Sequence, residues 1–554
     1  MRAESGFLKG LNPTVALWSK FIVFALVIFA AIFTETAGGV FSAVKDWMVT
    51  ALKWYYIGIV AGFLIFVFWL LFSRYGNVRL GDDDERPEFS YFSWFAMLFG
   101  AGMGIGLVFW SIAEPMWHFQ GNPFIGGATG VEPQSAAAAQ VAMRLTFFHW
   151  GLHPWAIYVV VALSLAYFAY RKKLPLTIRS ALYPLIGERI YGPIGHAADI
   201  LAIFGTIFGV ATSLGLGAQQ MATGLYTLTG MGFFVNQVTT DSGAIATEPN
   251  VTAMIVLIAI ITTIATASVM SGVGRGVKWL SEINLWLSIA IVVFLFAFGP
   301  TRYLLNTLLQ STGDYLREVI PLSLWSDAHK DGTWQGGWTA FYWGWWISWA
   351  PFVGMFIARI SRGRTIREFI LGVLLVPSCV TFLWLTAFGG NAMWIELFGA
   401  GGITEAVSAD LTSALYVTLG KMDVGFFGTL AAIVATLLIA TYFITSSDSG
   451  TLVVNTLLSM GDPEPPMMHR VIWGVSEGVV AAVLLLVGGL AALQTAAITG
   501  ALPFSVIMLF MAVGLVRALR EEPVSAAYAA GGIPATGGLD EAVPAEVRGT
   551  SPGE

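Results

Sequence analysis

Charge is scarce in this chain. Of its 554 residues only 11% are Asp, Glu, Lys or Arg, while 56% are hydrophobic. A soluble globular protein rarely passes half apolar, so the long apolar runs read as a polytopic membrane protein. The net charge of −6 argues against a nucleic-acid partner. Cysteine is almost missing: Cys379 stands alone in an apolar run, which excludes an intramolecular disulfide. There is no Walker motif, no metal-ligand spacing and no Ser/His/Asp constellation in a suitable context. The chain is therefore expected not to be an enzyme and to hold no cofactor, and ATP-driven transport would need a separate subunit.

Apolar runs are what the chain has instead. They give twelve candidate spans, at 14–36, 53–73, 90–117, 138–169, 195–228, 251–271, 280–299, 336–360, 367–389, 425–458, 469–489 and 491–518. Each is long enough to cross a hydrocarbon layer of about 30 Å. The first exceeds a signal-peptide core and lacks a clear cleavage site, so it reads as a retained span. With the N-terminus in the cytoplasm, only Lys45, Lys53, Arg302, Arg317, Lys330 and Lys421 of the 28 Lys and Arg fall in outside segments, and Arg144 sits near an outer helix end. That bias predicts a multi-pass cell-membrane protein with an even number of spans and both termini cytoplasmic.

The connections are polar. Residues 118–137 and 229–250 are Gly-rich, free of Lys and Arg, and expected to be external loops. "RYLLNTLLQSTGDYLREVI", within 300–335, has apolar residues at helical spacing and predicts an amphipathic helix along the outer surface. "RLGDDDERPEF" (79–89) reads as a solvated cytoplasmic loop. The Ala-, Gly- and Pro-rich tail from Glu521 is expected to be disordered.

Two stretches suggest a site. In "FGAGMGIGLVFWSIAEP" (99–115), Gly100, Gly102, Gly104 and Gly106 alternate. Each Gly costs a helix about 1 kcal/mol relative to Ala. The run is compatible with close helix packing. Taken alone it favours packing; the aromatic residues described next shift the balance to an unwound stretch, which survives in mid-membrane only where it lines a cavity. Free N–H groups there, with the next half-helix N-terminus, suit a carboxylate, and the carbonyls suit a cation. The second stretch is aromatic. "FYWGWWISWAPF" (341–352) places Trp343, Trp345, Trp346 and Trp349 within seven positions, and "FHWGLHPWAIY" (148–158) carries Trp150, Trp155 and Tyr158. Tryptophans at headgroup depth form an interfacial belt. Four within seven residues, well inside a span, fit a box of π-faces better. Such a box binds a quaternary ammonium, which has no N–H to donate, by cation–π attraction of about 0.5 to 2 kcal/mol per contact.

"GAGMGIG", "HWGLHPWAIY", "FGVATSLGLG", "WTAFYWGWWISWAPFVGMFIARISRGRTIREF" and "TYFITSSDSG" resemble the betaine/carnitine/choline transporter family, in that family's order, over residues 50 to 520. The resemblance implies an all-α polytopic fold of twelve transmembrane helices, with two leading helices before a LeuT-like 5+5 inverted repeat. It divides the chain into a cytoplasmic N-terminus (1–13), the leading helices and a cytoplasmic loop (14–89), a first repeat of helices 3–7 (90–299), an external amphipathic helix and loop (300–335), a second repeat of helices 8–12 (336–518) and a disordered cytoplasmic tail (519–554). Many members assemble as homotrimers.

By the same resemblance, Trp150, Trp155, Tyr158 and Trp346 match the ammonium box, and Trp345, Trp349 and Phe352 the aromatics beside it. Met103 and the backbone of Gly102, Gly104 and Gly106 match the unwound segment near the substrate, and Ser213 a hydroxyl facing the pocket. The carbonyls of Gly100 and Met103, with Tyr442, Thr445 and Ser446, match a sodium site. A second sodium site of some members resembles Thr206, position 210 and Phe352. Here position 210 is Val210, so an oxygen ligand is lost and that site is expected to be weak or empty. Asp448 is a candidate partner for Arg359, a pair that would suit an inner gate and equally simple charge neutralisation.

Members specialised for choline carry Asp where Gly106 stands, which favours a zwitterion here. The expected function is thus sodium-coupled import of a betaine-type compatible solute, with sodium as the coupling ion. A sodium-independent carnitine-type exchanger is the alternative within the class. A passive channel would show polar or charged rings that this chain lacks.

Overall fold

The computed structural model describes residues 1–102, 104–239, 245–271, 278–329 and 333–522. Helix α1 (Pro13–Ile32) starts where the Asn12 side chain accepts the Val15 N–H at 3.1 Å and Pro13 presets the first turn. It is followed by α2 (Thr34–Ala51) and α3 (Lys53–Phe72). Helices α4 (Tyr91–Gly102) and α5 (Ile105–Gln120) are interrupted at Gly104, whose backbone is extended (φ −137°, ψ −166°). The glycine run therefore does break the helix. Helices α6 (Ala136–Trp150) and α7 (Leu152–Ala166) part at Gly151 (φ −88°, ψ −127°). The Leu152 N–H beside that break donates to the Tyr315 hydroxyl at 3.1 Å, so the interruption leaves no orphan donor there.

A short α8 (Tyr183–Ile186) leads to α9 (Pro193–Thr229), which ends where Gly230 turns left-handed (φ 69°). The next connection is not the plain loop expected. Strands β1 (Val235–Thr239) and β2 (Ile245–Pro249) pair antiparallel, Val235 opposite Pro249 and Thr239 opposite Ile245. The β-branched residues in "VNQVT" and "IATEP" supply the strand preference that overall polarity concealed.

Helices α10 (Val251–Ser271), α11 (Lys278–Phe298) and α12 (Thr301–Leu324) follow. The expected amphipathic segment forms α12: Leu304, Ser311, Asp314, Tyr315 and Leu322 are buried against the protein, while Leu305, Leu309, Leu316 and Ile320 are exposed. A single turn, α13 (Thr333–Gln335), precedes the tryptophan-rich α14 (Phe341–Ile360). A capping box of Thr365 and Glu368 opens α15 (Ile366–Phe398). The short α16 (Ile403–Ala409) and α17 (Ala414–Lys421) lead to α18 (Phe426–Leu458) and α19 (Met467–Arg520). At 1.5 Å per residue α19 would be about 80 Å long. It is two rods, joined where Gly488 and Gly489 leave helical geometry.

Among the described residues nine helices are long and apolar enough to cross a membrane. Burial sorts them. All of α7 is buried, packed on α14 and α3, whereas α11 presents Trp279, Trp286, Ile289 and Val293 outward. Outward apolar side chains on one rod and a wholly buried rod beside it are what a lipid-facing rim and a protein-lined centre require.

The acidic run 79–89 is largely exposed, as expected, and its acids make surface ion pairs: Asp82 with Lys173 at 3.0 Å, Asp83 with Arg171 at 2.8 Å, and Glu85 with Arg362. One expectation about the tail needs correction. Order extends past residue 519. Helix α19 runs to Arg520, and the Glu522 carboxylate binds Arg171 and Lys172 at 2.7 Å each and the Tyr167 hydroxyl at 2.6 Å. The rest of the expected disordered tail, 523–554, lies outside the described residues.

Candidate functional site

The interruptions at Gly104 and Gly151 free α5 and the end of α6 to meet α14. What joins them is a carboxylate. Glu114 on α5 is fully buried, and its Oε2 accepts the Trp150 indole N–H at 2.6 Å and the Tyr342 hydroxyl at 2.5 Å. Its Oε1 faces His149 Nδ1 at 2.7 Å and His118 Nε2 at 3.3 Å. His149 Nε2 in turn meets the Thr339 hydroxyl at 3.0 Å. Glu114, His118 and His149 offer ligand atoms within 4.8 Å of one another, as a metal site would. Glu114 already has four partners and His149 two, so the group fits a hydrogen-bond hub better than an open metal centre.

That hub fixes the aromatic rings. The Trp346 indole N–H donates to the His149 carbonyl at 3.1 Å, and Trp150 and Trp346 meet edge to face, 4.8 Å apart at 70°. Both N–H groups are thus satisfied, and the planes of the two rings are set nearly at right angles. Trp345 stacks on Trp346 at 4.8 Å, Trp349 lies edge-on to Trp345 at 6.5 Å, and Phe352 lies edge-on to Trp349 at 5.5 Å. Trp155 and Tyr158 form a second edge-to-face pair at 5.5 Å on α7. Among the described residues no ring contact links that pair to the Trp346 group. The structure therefore brings five of the expected aromatics into one chain of contacts and leaves two adjacent on the buried helix that packs against α14.

The glycines of the run are needed for close approach. A Cβ on Gly106 would stand 2.3 Å from Cη2 of Trp345, and one on Gly104 would stand 3.1 Å from Cη2 of Trp349. Position 106 is therefore constrained by packing. Gly100 and Gly102 lie in the last turn of α4, and Met103 lies outside the described residues.

The proposed cation ligands lie on α18 beside this break. The Ser446 hydroxyl is 3.8 Å from where a Gly104 Cβ would be. Thr445 Oγ1 accepts from Asn284 Nδ2 at 2.9 Å and approaches the Thr441 and Tyr442 carbonyls at 3.1 and 3.2 Å. The Tyr442 hydroxyl meets Ser288 at 2.9 Å. On α9, Ser213 reaches back to the Gly209 carbonyl at 3.4 Å, Thr206 donates to Ala202 at 2.8 Å, and Val210 is buried. One expected pair is absent. Asp448 is buried and accepts from Ser268 at 2.7 Å, while Arg359 is exposed, so these two do not meet. A separate cavity of about 420 Å³, lined by residues including Phe109, Trp117, Gln219, Asp410 and Thr412, holds none of the expected site residues.

Sequence reasoning missed Glu114, Tyr342, His149 and Asn284. Glu114 was visible as a charge inside an apolar span, the one signal that could have found it. Its donors come from residues 118, 149, 150 and 342, which only the fold brings together.

Comparison with known proteins settles the class. The profile described as "BCCT, betaine/carnitine/choline family transporter" matches residues 14–524. The chain belongs to that family. A probable glycine betaine transporter of Desulfitobacterium hafniense is 45% identical over 513 residues, covering 92% of this chain and 98% of its own. A glycine betaine transporter of Acinetobacter baylyi is 44% identical over 513 residues, covering 92% and 74%. A glycine betaine/proline/choline transporter of Vibrio parahaemolyticus is 42% identical over 519 residues, covering 91% and 89%. Membership makes the chain a multi-pass transporter and not an enzyme.

Proposed function

We propose that this protein imports a betaine-type zwitterionic compatible solute with a quaternary ammonium, driven by a sodium gradient. The carrying observation is the pair Trp150 and Trp346, with both indole N–H groups satisfied and the rings held at 70°. A quaternary ammonium has no N–H, so π-faces are the groups that can hold it. In this reading Trp155 and Tyr158 complete the box, while Trp345, Trp349 and Phe352 line the route to it. The Gly102–Gly106 backbone and the N-terminus of α5 face the substrate carboxylate. The names of the relatives support the substrate class.

Sodium would bind the carbonyls of Gly100 and Met103 with Tyr442, Thr445 and Ser446, a reading supported by the approach of Ser446 to the break at Gly104. The Thr206 site would be weak, since Thr206 is hydrogen-bonded within its own helix and Val210 supplies no oxygen.

The same reading takes twelve crossings: α1, α3, the α4–α5 and α6–α7 rods, α9, α10, α11, α14, α15, α18 and the two rods of α19. Both ends then lie in the cytoplasm, and the two repeats span 90–299 and 336–518. The homotrimer is carried by the resemblance. Uptake of labelled glycine betaine into proteoliposomes tests the proposal. Saturable uptake that needs an inward sodium gradient is expected. Full uptake by exchange without sodium would replace this reading with the carnitine-type exchanger.

A further inference from the structure

A second pair of buried acids is unlike Glu114. Asp448 on α18 is 1% exposed and Glu477 on the first rod of α19 is 0% exposed. Asp448 Oδ2 accepts from Ser268 on α10 at 2.7 Å, and Glu477 Oε2 from Ser447 on α18 at 3.1 Å. The other oxygens, Asp448 Oδ1 and Glu477 Oε1, have no hydrogen-bond partner. Among the described residues no basic side chain pairs with either acid.

The surroundings are oxygen-rich. Thr451, fully buried, faces the Glu477 carboxylate without an aligned hydrogen bond, and the buried hydroxyls of Thr262 and Thr266 on α10 are also unpartnered. Three glycines let the helices approach closely enough to bring these oxygens together. A Cβ on Gly450 would stand 3.2 Å from Glu477 Oε1 and 3.1 Å from Val210. One on Gly474 would stand 3.2 Å from Thr266 Oγ1 and 3.4 Å from Thr451 Oγ1, and one on Gly478 only 2.3 Å from Thr262 Oγ1.

Carboxylate and hydroxyl oxygens with open lone pairs, taken from three helices inside a membrane, are a ligand set for a hard cation. Ionised and unpaired, the two acids would be untenable at that depth. We propose that Asp448, Glu477 and Thr451, with Thr266 and Thr262, form a binding pocket for a sodium ion, distinct from the site at Thr445 and Ser446. The choice of sodium rests on the sodium-coupled reading above. Geometry adds a reason: Thr445, Asp448 and Thr451 follow at three-residue steps, so one face of α18 carries oxygen from the first site into the second. An ion leaving Thr445 would meet Asp448 about one helical turn further on.

Equilibrium binding of radiolabelled sodium to the full chain in lipid nanodiscs tests this without relying on transport. About two ions per chain are expected in the wild type, and about one in Thr445→Ala/Ser446→Ala, in Glu477→Gln and in Asp448→Asn. Combining Glu477→Gln with Thr445→Ala/Ser446→Ala should leave none. Thr451→Val keeps the volume and removes an oxygen, and should weaken the retained site roughly tenfold. Unchanged stoichiometry in both acid variants, with unchanged affinity in Thr451→Val, would mean that the acids are simply protonated and would overturn the pocket. Displacement of the retained sodium by micromolar calcium would overturn the choice of ion. Should an acid variant fail to fold, Thr451→Val and Thr266→Val decide alone: wild-type affinity in both overturns the proposal. Failure of the sodium-coupled reading looks different, as betaine uptake indifferent to sodium while the pocket still binds it.

Discussion

Glu114 and Glu477 are both fully buried glutamates inside the helical core, yet their surroundings are opposite. Glu114 takes contacts from His118, His149, Trp150 and Tyr342, and both its oxygens are occupied. Glu477 takes one aligned contact, from Ser447, and keeps an oxygen open. Donors arranged around a carboxylate consume its lone pairs and fix the donors in place, which makes Glu114 a positioning residue for the rings of Trp150 and Tyr342. Hydroxyls that have other lone pairs to offer leave room for an ion. One chain thus uses the same side chain once to build and once to bind.

The largest effect should come from breaking the saturated member. Glu114→Gln keeps the shape but replaces a charged acceptor with an amide whose NH2 faces two donors. Charge-assisted hydrogen bonds are worth about 1.5–3 kcal/mol each, so the loss of two should lower kcat/KM for betaine by roughly a hundredfold or more. If Glu114 acts through the box, apparent KM rises more than kcat falls, and Glu114→Asp recovers part of it. Equal loss in every parameter, with no recovery in Glu114→Asp, would assign it to folding instead.

Next in size is the ring that the hub holds. Trp346→Leu removes a π-face and should raise the apparent KM by up to about thirtyfold, the equivalent of about 2 kcal/mol, while Trp346→Phe loses less. Equal, near wild-type kinetics for both would remove the ammonium from this site. The aromatic positions were legible in advance because bulky side chains repeat densely in "FYWGWWISWAPF" and because the motif is family-specific. The contacts that orient them were not. Glu114 and Tyr342 stand 228 positions apart, and no local period reports such a pairing. The break at Gly104 belongs to the legible part, since a glycine run and the following half-helix are local features; the break at Gly151, inside what reads as one span from 138 to 169, was not. The pairing of strands β1 and β2 and the partners of the 79–89 acids were hidden by composition, which describes polarity but not partners.

Gly106 separates packing from charge. Gly106→Ala adds only a methyl group, yet its Cβ would stand 2.3 Å from Trp345. Trp345 must move, and overpacking of this kind costs about 1–3 kcal/mol, so betaine uptake should fall on the order of tenfold. Gly106→Asp carries the same steric load plus a carboxylate. Choline uptake gained by Gly106→Asp but not by Gly106→Ala would show that a counter-charge sets specificity. Matching losses in both would show that position 106 serves the ring alone.

The smallest effect is expected at a carboxylate outside the membrane segments, where cations do what donors do for Glu114. Burial alone would push the Glu522 carboxyl up, but hydrogen bonds from Arg171, Lys172 and Tyr167 outweigh it and bring the pKa from its ordinary 4.5 down to about 2. A folded-state pKa below the unfolded one stabilises the folded state above about pH 4.5, and that contribution is lost as pH falls through about 2. The cationic partners reach solvent, Lys172 more than Arg171, so screening keeps the contribution modest, about 1 kcal/mol or less. Glu522→Gln should therefore lower the thermal midpoint in detergent at pH 7 by only about 1–3 °C, with uptake unchanged. The gap between variant and wild type should hold from pH 7 to about 5 and narrow below that, as the carboxyl of the unfolded wild-type chain takes up its proton before the folded one does. Raising the salt concentration at pH 7 should narrow it as well, whereas the loss in Glu114→Gln, sealed from solvent, should not respond to salt. A Glu522→Gln gap that is constant from pH 7 to 3 and indifferent to salt would mean that the Tyr167 hydrogen bond, and not the Arg171 and Lys172 charges, anchors the end of α19.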